Sequence, residues 1–230
     1  FGAFLLMFFC SGASALMYEV VWTRSLSLIF GVTLHAISAV LASFMGGMAI
    51  GSYVVGRMAD RARHPLLVYG LMEAAIGVSA LASLWAIHRL PPLYVALYNA
   101  TGGSEWLVTL VRFLAACAVM LVPTALMGAT LPFMVRASLV HLSKVGENIS
   151  LLYALNTAGA ASGALVAGFV LVGTFGLNRT AQTGALINVG IGVVALALAA
   201  ITRKQAEAAT AAAHATDDAA VRRLTDTAEA

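Results

Sequence analysis

Long apolar runs divided by short polar breaks organise this chain from Phe1 to Ile201. Each run is near the length of about 20 residues that a helix needs to cross a bilayer. The first extends from Phe1 to about Val21 and closes on the polar cluster Tyr18, Glu19, Trp22 and Arg24. Ser25 to Phe30 is expected to form a short interfacial segment before Gly31 breaks the chain. The second run covers about Thr33 to Val55, and the third about Leu66 to His88. The fourth starts near Trp106, passes Pro123 and fades around Val135, as one tilted helix or a helix kinked at the proline. The fifth is about Ile149 to Val172, and the sixth about Thr180 to Ile201. Between the third and fourth runs, Pro91, Pro92, Tyr94 and Tyr98 read as a short interfacial helix or an anchored loop.

The pattern predicts an all-α integral membrane protein, a polytopic bundle of about six transmembrane helices over residues 1–202. Residues 203–230 change character to Arg203-Lys204 and an alanine-rich stretch with almost no large apolar side chains, expected as a solvated cytoplasmic tail or linker. The opening at Phe1, apolar at once and without an initiator Met, reads as that of a fragment.

Composition supports the same class. Hydrophobic residues make up 61% and charged residues 10%, with a mean hydropathy of +0.92, whereas soluble domains carry about a quarter charged residues. A soluble fold is excluded because it has no way to hide this much apolar surface. The net charge of +3 is spread over several loops, so it points to anionic lipid headgroups and argues against nucleic acid as a partner. Alternate loops hold Arg57, Arg61, Arg63, Arg136, Lys144, Arg203 and Lys204, against Arg24, Arg89 and Arg179 on the other set. The positive-inside rule then places both termini in the cytoplasm.

Charges inside the spans are the candidate chemistry, because each costs about 2.5–3.5 kcal/mol at the helix centre on insertion scales unless paired or hydrated. Glu73 and Arg112 each lie about two turns into a span, from opposite sides. Glu19 is near the level of Arg112 and is expected to pair with it. Glu73 is left to find Asn156, water, a protonated state or another subunit. Glu19, Arg24, Glu73, Arg112 and Asn156 form the candidate intramembrane polar site, as structural glue or as a polar cavity. Asn156, Thr157 and Asn188 are expected to hydrogen-bond between helices.

Gly47 with Gly51, and Gly159 with Gly163, are spaced four apart and share a helix face, the pattern of close helix packing or of a smooth moving interface. Gly56, Asp60, Arg61 and Arg63 read as a positive-inside loop with a local ion pair from Asp60 to Arg61 or Arg63. The string also resembles the loop between the second and third helices of major facilitator transporters, and that resemblance implies a gating loop instead. Neither His35, His64, His88, His141 and His214 nor Cys10 and Cys117 have metal-ligand spacing, so no metal and no cofactor are expected.

Four ordered strings add a resemblance. They are residues 11–24 (SGASALMYEVVWTR), Gly51-Ser52 through Gly56-Arg57-Met58-Ala59-Asp60-Arg61, residues 123–132 (PTALMGATLP), and Tyr153 to Ala160 followed by Gly168-Phe169. Together they resemble the membrane module of the bacterial fused major facilitator and spermidine synthase-like proteins. The resemblance implies one half of a major facilitator transporter, with three spans before Glu105 and three after it, in a bacterial inner membrane. It also implies a soluble aminopropyltransferase-like domain following the module in many relatives. That domain needs a glycine-rich nucleotide loop between a strand and a helix, and this chain has none, so no catalytic residue carries over. The expected function is therefore a non-catalytic module that anchors a soluble partner or passes it a polyamine-like cation. A structural accessory subunit of a larger complex, with protein partners, and a transporter half acting as a dimer are the alternatives.

Overall fold

The computed structural model describes residues 1–100, 102, 104–139 and 145–228, with side chains described to Gln205 apart from those of residues 139 and 145. Thr101, His141, Lys144 and the side chains of the alanine-rich tail lie outside the described residues. The described chain is helical: α1 (Gly2–Phe30), α2 (Leu34–Val54), the single-turn α3 (Gly56–Ala59), α4 (Pro65–Ala100), α5 (Glu105–Leu139), α6 (Val145–Val166), a π-helical turn at Ala167–Leu171, and α7 (Val172–Ala228). Among the described residues, five helical runs, the last of 60 residues, are long and apolar enough to cross a bilayer.

Breaks occur where the backbone demands glycine. Gly31 ends α1 at φ 85°, and Thr33 then caps α2 by accepting a hydrogen bond from the Ala36 N–H at 3.2 Å. Gly176, at φ 78° and ψ 173°, interrupts α7, so the long final run turns within its own length. The expected linker after Ile201 stays helical through Ala228, in line with the helix preference of alanine.

Two expectations need correction. Ser25 to Phe30 is no separate interfacial segment: α1 continues to Phe30, because Ser25, Leu26 and Phe30 are buried in the bundle. Pro91 and Pro92 do not begin a new helix either. They sit inside α4, which runs on to Ala100. The extension is held by Tyr94, whose ring packs on Phe30 at 5.1 Å between centroids and whose hydroxyl accepts from Arg112. These contacts offset the backbone hydrogen bonds that the prolines forfeit.

Three helix pairs dominate the packing: α2 with α5, α1 with α6, and α4 with α7. A Cβ added to Gly51 would strike the Ala125 carbonyl, and one on Gly163 would strike the Ala13 carbonyl. Gly47 likewise abuts Thr124, Gly159 abuts Phe9, and Gly128 abuts Met48. The contacts advance in the same direction along both members, so α2 lies parallel to α5, and α1 parallel to α6. In contrast, Gly70 meets Gly192 and Ala195 while Gly77 meets Ala185 and Asn188, so α4 runs antiparallel to the part of α7 beyond Gly176. Small residues permit these approaches where lipid gives no hydrophobic drive for association. Trp22, Tyr18, Phe44 and Ile76 fill one core, and Phe8, Tyr69, Phe133 and Met134 fill the other.

Candidate functional site

A polar cluster lies between α1, α4 and α7, inside apolar helices. Glu73 is wholly buried at its centre. Its Oε1 accepts from the Ser11 hydroxyl at 2.6 Å, and its Oε2 accepts from the Asn188 amide nitrogen at 2.5 Å. Asn188 is oriented in turn by Tyr18, whose hydroxyl donates to Asn188 Oδ1 at 3.0 Å. Ser14 donates to the Ser11 carbonyl at 2.9 Å. Tyr69, one helical turn before Glu73, is equally buried beside the carboxyl and Ser11, and its hydroxyl has no partner in hydrogen-bond geometry. A second tie between α1 and α4 lies deeper along both helices, where Trp22 Nε1 donates to Ser83 Oγ at 2.8 Å. Chemically, the cluster is a donor-lined cradle for one carboxyl group, without an arginine or lysine among its contacts.

The five polar-site candidates are thereby dispersed. Glu73 takes its partners from α1 and α7. Asn156, expected as one possible partner, instead donates to the Phe8 carbonyl at 3.0 Å across the α1 and α6 contact. The expected pair of Glu19 and Arg112 is not formed. Glu19 accepts from Thr23 at 2.9 Å on its own helix, whereas Arg112 Nε donates to the Tyr94 hydroxyl at 3.2 Å. The reason is depth: Arg112 meets Tyr94, which packs on Phe30, and Phe30 lies about 16 Å further along α1 than Glu19. Arg24 is exposed. Thr157 turns back on the Tyr153 carbonyl of its own helix at 2.9 Å and makes no interhelical bond.

At the loop after α2, Gly56 faces the ring of Pro132, while Asp60, Arg61 and Arg63 are exposed. Arg57 lies over the Tyr53 ring at 3.9 Å, a cation–π contact along the same helical face.

The sequence alone does not single out Ser11 as a Glu73 partner, nor Tyr18 and Tyr69 as members of its cluster. A signal was present: Ser11 and Tyr18 are two turns apart on α1, and Tyr69 and Glu73 one turn apart on α4, so each pair shares a helix face. Polar residues repeating on one face of an otherwise apolar helix mark the face turned to protein.

Comparison of the chain with protein-family models, with curated proteins and with solved structures gives no match.

Proposed function

We propose that this chain is a non-catalytic membrane module of the spermidine synthase-like fusion type, built like one half of a major facilitator and serving to anchor a soluble partner or to hand it a polyamine-like cation. In this reading it lies in a bacterial inner membrane, crosses it six times because Gly176 divides the last run into two passes, and keeps both termini in the cytoplasm.

The observation that carries the reading is how the four resembling strings meet. Gly51 and Gly56 of the second string abut Ala125 and Pro132 of the third, and Gly12 of the first abuts Asn156 of the fourth. Strings far apart in sequence are thus the two faces of the same close contacts. The contacts also repeat: the sequence step from Gly51 to Gly163 equals that from Ala13 to Ala125, and the two glycines meet the carbonyls of those two alanines. Exchanging the first three passes with the last three converts the α2 and α5 pair into the α6 and α1 pair and leaves the pairing of α4 with α7 unchanged. Inverted repeats in one transporter half give this symmetry.

The test is mass spectrometry of the intact assembly purified from native membranes in mild detergent. A soluble aminopropyltransferase-like domain, on the same polypeptide or as a stoichiometric subunit, is the expected result. A bare homodimer would instead favour the transporter half, and a set of unrelated membrane subunits the accessory role. The isolated chain, given a polyamine and decarboxylated S-adenosylmethionine, should yield no product.

A further inference from the structure

We infer that a groove between α4 and α5 is a binding site for one anionic phospholipid of the bilayer. This inference rests on the helices crossing a membrane and is independent of the family resemblance.

The groove has a volume of about 830 Å³ and an almost wholly apolar lining, with Ser79 and Pro123 towards one end and Arg89 and Tyr94 towards the other. Its walls face outward, since Trp85, Leu93, Leu114 and Val122 are all exposed. Its α4 wall runs from Ser79 to Leu97, a rise of about 27 Å. The part from Ser79 to Arg89 rises about 15 Å, half of a hydrocarbon core about 30 Å thick. From Pro65, where α4 begins, to Arg89 the rise is about 36 Å, which carries Arg89 to the interface opposite Pro65. Trp85, one turn below, takes the position of an interfacial belt residue.

Charge identifies the headgroup. The Arg89 guanidinium lies over the Trp85 ring at 5.0 Å, and Arg112 is held at the same end of the groove through its bond to Tyr94. Among the described residues neither guanidinium is paired with a carboxylate. One guanidinium on the wall of the apolar groove, about one leaflet from its deep end, and a second tied to the lining Tyr94 complement a phosphate diester carrying an acyl chain. The fork geometry of arginine suits phosphate oxygens. A zwitterionic lipid would fill the groove equally well but would bring a cation to the same guanidinium groups.

The test is native mass spectrometry of the purified full chain with equimolar phosphatidylglycerol and phosphatidylcholine of identical acyl chains. The wild type should retain one phosphatidylglycerol in preference, by about fivefold for each guanidinium engaged. Arg89→Gln with Arg112→Gln should bring the two lipids near parity. Ala118→Phe and Ala82→Phe, at exposed lining positions on opposite walls and outside the core, should each reduce retention of both lipids. Equal retention by the wild type, a preference that survives loss of both arginines, or full retention in both phenylalanine variants would overturn the proposal. So would a second copy of the chain occupying the groove and excluding lipid.

Discussion

Both side-chain oxygens of Glu73 are taken by donors, so its variants separate shape from hydrogen bonding. Glu73→Gln keeps an acceptor for Asn188 and can donate to Ser11 Oγ once that hydroxyl turns. It should cost under about 1 kcal/mol in reversible unfolding by denaturing detergent. Glu73→Leu strands Ser11 and Asn188 inside the bundle and should cost about 2–4 kcal/mol. A double-mutant cycle of Ser11→Ala with Glu73→Leu should give a coupling of about 0.6 kcal/mol, the average for interhelical hydrogen bonds, and no more than about 1.7 kcal/mol. Equal losses from Glu73→Gln and Glu73→Leu would show that the carboxyl serves something other than this network. Arg112 gives a complementary test, since its partner is Tyr94 and not Glu19. Glu19→Gln should add to Arg112→Leu within about 0.5 kcal/mol, whereas Tyr94→Phe should fall short of additivity. Recovery of stability by Glu19→Gln would restore the ion pair that charge spacing alone suggested.

Helices in this bundle are joined at glycine faces, and the cost of filling those faces follows from what each glycine touches. Gly51→Leu and Gly163→Leu drive a side chain into a facing carbonyl and should each lower stability by about 3 kcal/mol or more, beyond ordinary overpacking. Gly190 has open space around it. Gly190→Ala should therefore be neutral or stabilise by up to about 1 kcal/mol through helix propensity. Thermal unfolding in a single detergent distinguishes the two classes, and similar losses at all three positions would remove the glycine-face account. Much of this was legible in the sequence, because the fourfold spacing of Gly47 with Gly51 and of Gly159 with Gly163 already placed each pair on one face. The partners were not legible: nothing in the spacing says that Gly51 meets Ala125 rather than another small residue. Two helix ends were also misread. Pro91 and Pro92 look like a break when local backbone chemistry is considered alone, whereas the packing of Tyr94 on Phe30 is a long-range contact invisible to it. Polar partners failed for the same reason: counting residues inward from the ends of the apolar runs puts Glu19 and Arg112 at one level, whereas α1 and α4 run on past those ends, and Arg112 is level with Phe30 rather than Glu19.

Across the whole molecule, the proposed six-pass topology stands or falls on the reversal at Gly176, which in that reading makes two passes of one helical run and gives three passes on either side of Glu105. The direct measurement is cysteine accessibility in a chain with Cys10 and Cys117 replaced by Ala, carrying one new cysteine at Arg61, Asn178 or Gln205. The account predicts that a membrane-impermeant thiol reagent reaches the positions 61 and 205 from one face of the membrane, the cytoplasmic one, and position 178 only from the other. Labelling of positions 178 and 205 from the same face would contradict it, because the chain would then not cross the membrane between Gly176 and Gln205.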